Sequence, residues 1–174
     1  MKRGIWILAG LVILAVGICV GSLVFAPRVA ETPTSAVRGE APEDVASTNC
    51  WLDEVKFHSD NVSDDMNAFS EAMGKGDFGA IRVQARLLES DLQKEKAALL
   101  ACPTPKHRLL VSWREKHLRA IDLKALAYQY LEEGLLTLAP DLMSEGLDLL
   151  QETIDLSQEA TSDIERYQVE VLGP

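Results

Sequence analysis

Residues 5–26 read IWILAGLVILAVGICVGSLVFA, 22 consecutive residues without a charge. At about 1.5 Å per residue, a helix of this length extends roughly 33 Å, whereas the hydrocarbon core of a bilayer is about 30 Å thick. The sequence therefore predicts one transmembrane helix over residues 5–26, followed by a domain that this helix tethers to the membrane.

The orientation follows from the bases beside this segment. Lys2 and Arg3 precede it, and basic residues in short flanks are retained in the cytoplasm. Arg28 is the base close to the other side, which leaves two bases against one. We therefore expect a cytoplasmic tail over residues 1–4, a signal anchor, and an extracytoplasmic remainder of a single-pass protein of the cell membrane.

A cleaved signal peptide is the alternative interpretation of the same start. Val24-Phe25-Ala26 offers a small-residue cleavage site, but Pro27 follows it directly. The apolar run is also longer than the 7–15 residues usual in signal peptides, which favours the retained anchor. Within the anchor, Gly17 and Gly21 form a small-xxx-small pair that predicts a helix contact in a weak homodimer.

The exported part is acidic. All 27 Asp and Glu residues but only 15 of the 17 Lys and Arg residues follow residue 26, a net charge of −12. This balance argues against nucleic acid as a partner. Residues 27–48 are rich in Pro, Glu, Thr and Ala and predict a flexible linker, so the domain is expected over residues 49–174.

Apolar residues recur three and four positions apart along four stretches of the domain, at about residues 51–73, 78–102, 106–133 and 140–169. This period is typical of helices with one buried face, and no strand-like alternation occurs. The pairs Gly74/Gly76, Pro103/Pro105 and Gly134/Pro140 separate the stretches. We predict an all-α fold, with the transmembrane helix followed by an antiparallel up-down-up-down four-helix bundle.

The cysteines provide a separate test of this topology. Cys50 begins the first predicted helix and Cys102 ends the second, so an antiparallel pair of equal length brings them together. Because an exported domain meets an oxidising environment, the sequence predicts a disulfide between them.

The fourth predicted helix carries an acidic stripe, seven carboxylates spaced three and four apart on one side. They are Asp141, Glu145, Asp148, Glu152, Asp155, Glu159 and Asp163. A hydrated outer surface is the simplest interpretation. The functional alternative is a docking surface for a basic partner or a loose divalent-cation site, and of these we favour the basic partner. The third helix begins with several bases, which we expect to lie beside the acidic end of the fourth and to pair with it.

Known catalytic patterns are missing from the sequence. It contains no Glu-x-x-His, no Gly-x-Ser-x-Gly and no glycine-rich phosphate loop. Glu54 and His58 lie four apart and could share an ion, but no second helix completes that site. We predict no catalytic, cofactor or metal-binding residues, and a protein that is not an enzyme.

Three functional hypotheses remain. The leading one is a non-enzymatic interaction or structural module of the cell envelope that binds another envelope protein. The second is a ligand- or cation-binding sensor bundle that acts through a membrane partner. The third is an envelope hydrolase, which would need His, Ser and Asp groups that converge in a cleft.

Overall fold

A computed structural model describes residues 42–172, which form four α-helices and contain no strand. The helices are α1 (Pro42–Lys75), α2 (Phe78–Ala101), α3 (Arg108–Thr137) and α4 (Pro140–Leu172). The predicted all-α domain with four helices is confirmed. The predicted cytoplasmic tail, the span with Gly17 and Gly21, and the linker up to residue 41 lie outside the described residues. None of α1 to α4 is long and apolar enough to cross a membrane.

Helix α1 begins at Pro42, seven residues earlier than the predicted domain boundary. Proline suits a first helical turn because its missing N–H would have no partner there, and Glu43 and Asp44 are favourable beside the positive end of the helix dipole. The composition of residues 42–48 resembles a linker, but their contacts with the α2–α3 loop make them part of the domain.

Contacts between successive helices show that they run antiparallel. Residues with increasing numbers on α2 pair with residues of decreasing number on α3. The pairs are Arg82 with Glu132, Glu89 with Gln129, and Lys96 with Asp122. The same holds for α3 and α4, through Arg108 with Glu170, Lys116 with Glu159, and Arg119 with Glu152. Helices α1 and α3 run parallel, since Trp51 contacts Trp113 and Phe69 contacts Tyr128.

Helices α3 and α4 approach each other through small buried residues that recur every seven positions. On α3 these are Ala120, Ala127 and Gly134, and on α4 they are Gly146, Thr153 and Ala160. A Cβ atom on Gly146 would lie 2.9 Å from the carbonyl oxygen of Ala127. Side chains of this size bring two helix backbones unusually close together.

Gly134 was expected to mark the end of the third helix, but α3 continues to Thr137. A Cβ atom on Gly134 would lie 2.9 Å from the backbone nitrogen of Met143 on α4. This glycine is therefore explained by the close contact between two helices rather than by a turn.

The main core lies between α1, α2 and α3, with Leu150 added from α4. Its largest fully buried side chains include Trp51, Tyr128 and Phe69. Phe78, the first residue of α2, is not part of this core, and half of its surface is exposed. A smaller cluster of Leu109, Leu110 and Tyr167 joins the start of α3 to the end of α4.

Candidate functional site

The predicted disulfide is present between Cys50 and Cys102, with Cα atoms 5.8 Å apart. It links the third turn of α1 to the residue that follows α2. We call this the proximal end of the domain, formed by the start of α1, the α2–α3 loop (residues 102–107), the start of α3 and the end of α4. The chain enters the domain from residue 41 at this end.

The first turns of α1 bind the α2–α3 loop by hydrogen bonds. Asp44 Oδ1 accepts the backbone N–H groups of Lys106 at 2.6 Å and His107 at 3.1 Å, immediately before α3 begins. Ser47 Oγ donates to the carbonyl oxygen of Pro103 at 2.6 Å. Asp44 and Ser47 are both buried. A carboxylate at this position accepts hydrogen bonds from amides that have no partner within the helix, and its negative charge interacts favourably with the positive end of the α3 dipole.

Arg114 supports the same end from inside the domain. Its guanidinium donates to four main-chain carbonyls at the end of α2, those of Leu99, Leu100, Cys102 and Pro103, at 2.9 to 3.4 Å. The same group lies 5.1 Å from the ring centroid of Trp51, a cation–π contact. Burial lowers the pKa of Arg114. This side chain therefore fills the role of a C-terminal cap for α2.

Next to this cluster, the buried Glu95 pairs with His117, which is partly exposed. Glu95 Oε1 lies 3.6 Å from His117 Nε2, and the imidazole meets the ring of Trp51 edge to face at 5.7 Å. Within residues 42–172, no serine or cysteine hydrogen-bonds to His117. A carboxylate that orients an imidazole is one half of a nucleophile–base arrangement. Here the pair joins α2 to α3 and places the buried carboxylate of Glu95 beside an imidazole.

The acidic stripe is divided into two parts by its contacts. In the C-terminal part, Glu152 pairs with Arg119 at 2.5 Å and Glu159 with Lys116 at 3.4 Å, while Asp163 is buried. The expected pairing of these residues with the bases of the third helix is therefore observed.

The N-terminal part of the stripe differs. Asp141, Glu145 and Asp148 are exposed and form no ion pair within the described residues, and Asp155 accepts only from Gln151 at 3.0 Å. Asp141 lies in the first turn of α4, where a negative charge is favourable. Glu145 and Asp148 lie beyond the first turn, so the helix dipole does not explain why these positions carry a negative charge.

Asp163 accepts hydrogen bonds from Ser112 Oγ at 2.7 Å and Lys116 Nζ at 2.8 Å. Burial raises its pKa, but these hydrogen bonds and the charges of Lys116 and Arg166 outweigh burial, so the pKa lies below its usual value. The folded protein therefore binds fewer protons at this residue than the unfolded chain. The resulting stabilisation is complete above the usual carboxyl pKa of about 4 and is lost as the pH falls through the folded-state pKa.

We expect Asp163→Asn to lower the free energy of unfolding by about 2 kcal/mol at pH 7, because it removes charge-assisted hydrogen bonds from a buried site. The difference from wild type should shrink as the pH falls below the usual carboxyl pKa of about 4 and Asp163 becomes protonated. Urea denaturation at pH 7, 5 and 3 measures this change. Asp148→Asn on the exposed part of the stripe is the control, and equal effects of the two substitutions would contradict the assignment.

Asp65 on α1 and Asp91 on α2 form a pair of carboxylates. Burial raises the pKa of Asp65, and the neighbouring Asp91 raises it further. Asp91 is also bound by Lys94 at 2.5 Å. Because Asp65 and Asp91 lie on different helices, the spacing of residues along the chain does not predict that their charges meet.

No group of three or more His, Cys, Asp or Glu residues within 42–172 is arranged to hold an ion. Glu54 and His58, singled out from the sequence, form one pair with 3.7 Å between Oε2 and Nε2. The expected absence of a metal, a cofactor and catalytic residues stays a prediction.

Sequence reasoning missed the residues that organise the proximal end. Asp44 was assigned to the linker, and Arg114 was grouped with the surface bases of the third helix. A buried arginine has no signature in the sequence, because its charge suggests exposure. The acidic first turn after Pro42 was the one available signal for an earlier helix start.

The chain was also compared with known proteins. No protein-family model, no curated protein and no solved structure matches it significantly, so its function has to be inferred from its own residues.

Proposed function

We propose that this protein is a single-pass membrane protein whose amino terminus is cytoplasmic and whose up-down-up-down four-helix bundle lies outside the cell membrane. There it serves as a non-enzymatic module that binds another protein of the cell envelope. The observation that carries this proposal is the Cys50–Cys102 disulfide. Structural disulfides persist in oxidising compartments and are rare in the cytosol.

The position of the disulfide agrees with tethering. It lies at the proximal end, where the chain from the proposed span enters the domain. Asp44, Ser47 and the disulfide hold the first turns of α1 against the α2–α3 loop. A pull on residue 42 would therefore act on several elements together rather than on a free helix end.

Protease added to intact cells tests the topology. We expect the carboxyl-terminal domain to be digested from outside, and the full-length chain to stay in the membrane pellet after alkaline extraction. Thiol alkylation without reductant should label Cys19 alone, and reductant should expose two more thiols. A protected domain, or three reactive thiols in the unreduced protein, would contradict the proposal.

The proposed partner surface is the unpaired part of the acidic stripe. Asp141, Glu145 and Asp148 are exposed carboxylates without a cation from the described part of the chain, which leaves them free for a basic partner. Chemical crosslinking in intact cells should show a partner adduct that disappears when these three residues become lysine.

The matched control is Asp53→Lys, Asp60→Lys and Asp64→Lys, which changes the charge equally on exposed positions of α1. It should leave the adduct intact. Adducts that persist in the α4 variant, or that vanish in both variants, would argue against a specific surface on α4.

A further inference from the structure

The distal end of the domain, opposite the disulfide, contains two turns of the same type. In each turn the amide of the second residue after the helix bonds back five positions, Asp77 N–H to Ala72 O at 3.0 Å and Ala139 N–H to Gly134 O at 2.9 Å. Each turn places one residue in the left-handed region, Gly76 at φ +66° and Leu138 at φ +56°. This hydrogen bonding is the Schellman arrangement, in which glycine is usual at that position.

Leu138 is therefore an exception: among residues 42–172, it is the one residue other than glycine with a left-handed backbone. A left-handed backbone is unfavourable for a residue with a Cβ atom. The Leu138 side chain does not recover this cost by burial, since 64% of its surface is exposed. Gly76 shows that the fold accepts glycine in the equivalent turn. Strained residues that the fold does not require are candidates for function.

Phe78 is a second exposed apolar side chain at this end, with 50% of its surface accessible. It lies on the flank of α2 that carries Arg82, Glu89 and Lys96, because these positions follow it by four, eleven and eighteen residues. The α2–α3 register, given by the pairs 82–132, 89–129 and 96–122, places Phe78 level with residue 138. Phe78 and Leu138 are thus two exposed apolar residues at the same level of the distal end, each at one of the turns, and we call them the apolar tip.

The charges around the apolar tip are negative. Two bases lie within seven residues of Phe78 or Leu138 in the chain, and both have partners, Lys75 with Glu71 at 2.5 Å and Arg82 with Glu132 at 3.7 Å. Within the same distance of Leu138 along the chain, three exposed carboxylates form no ion pair with the described residues: Glu133, Asp141 and Glu145. A second copy of this chain would bring like charges together at the tip, which disfavours self-association through it.

We propose that the apolar tip is the docking contact for a basic protein segment, whose apolar side chain covers Phe78 and Leu138 while its Lys or Arg side chains meet the free carboxylates. This inference rests on the proposed partner surface and adds to it the apolar contact made by Phe78 and Leu138. The distal end lies farthest from the point where the chain enters the domain, so a tethered domain would present it away from the membrane.

Short peptides test this contact on the full-length chain in nanodiscs of zwitterionic lipid. The probe is labelled acetyl-KLKFK-amide, its counterpart is acetyl-ELEFE-amide, and empty nanodiscs give the background. Fluorescence anisotropy should show at least tenfold tighter binding of the basic peptide, weakened by salt. Phe78→Ser with Leu138→Gly should reduce that binding at least tenfold, although every carboxylate is retained.

The control variant is Val83→Ser with Leu87→Ser, which removes two other exposed apolar residues of α2. It should bind the basic peptide like wild type. Equal binding by all three proteins, no binding by any, or self-association that depends on the tip would each overturn the inference. Such results would leave the membrane topology unaffected, since protease accessibility tests it separately.

Leu138→Gly alone distinguishes function from packing. Because glycine suits the left-handed backbone, the variant should unfold at a temperature equal to or higher than wild type while it binds the basic peptide more weakly. A lower unfolding temperature would show that Leu138 is retained for packing and would overturn its assignment to a docking contact.

Discussion

Replacing both Cys50 and Cys102 with alanine is expected to lower the free energy of unfolding by about 4 kcal/mol. The disulfide closes a loop of 52 residues. In the chain-entropy model, its loss increases the conformational entropy of the unfolded chain and stabilises the unfolded state by this amount. Urea denaturation of the full-length protein, followed by circular dichroism, measures the change. The effect is large because most single domains are stable by only about 5–15 kcal/mol.

Reductant provides the matched control for this prediction. Wild-type protein in dithiothreitol should approach the stability of the double variant, whereas the double variant itself should not respond. Cys19→Ala should leave the unfolding midpoint unchanged. Equal midpoints for oxidised and reduced wild type would show that the hydrogen bonds of Asp44 and Ser47 suffice to hold the proximal end.

Replacing Trp51 with alanine is expected to cost about 3–5 kcal/mol, the range for large aromatic residues in a core. Trp51 is fully buried, with its ring centroid 5.3 Å from that of Trp113 and with Arg114 over its face. Truncation leaves a cavity and also removes the cation–π contact of a buried arginine. Thermal unfolding and near-ultraviolet circular dichroism report both losses.

Trp51→Phe separates packing from hydrogen bonding. The indole Nε1 has no acceptor among residues 42–172, so phenylalanine removes a buried donor that was unsatisfied in this part of the chain. We expect Trp51→Phe to cost clearly less than Trp51→Ala. Phe57→Ala, on the same helix but 70% exposed, should change stability by less than about 0.5 kcal/mol. Similar effects of Phe and Ala at position 51 would contradict this account.

Much of the fold could be predicted because helix formation leaves a local pattern. The spacing of apolar residues located all four helices, and the start of α2 at Phe78 and of α4 at Pro140 agree with the predicted positions. The disulfide followed from the placement of two cysteines in antiparallel neighbours. The start of α1 and the end of α3 were predicted at the wrong residues. Residues 42–48 are stabilised by contacts with the α2–α3 loop, and Gly134 allows a close approach to α4 rather than ending α3.

The candidate sites were less predictable than the helices. Asp163 belongs by spacing to an exposed stripe, yet it is buried between α3 and α4 because Ser112 and Lys116 satisfy its carboxylate. Glu95 is buried among the apolar residues of α2 and is paired with His117 from α3. Both cases depend on a partner from another helix, which periodicity along one helix does not reveal.

The sequence alone determined the number and kind of elements, the cysteine pair and the excess of acidic residues, since each depends on residues close in the chain or on a simple count. The tertiary structure decided which acidic residues are neutralised and which stay free, and it placed Phe78 level with Leu138. Such relations depend on the register between helices, and that register is set by the summed packing of distant residues.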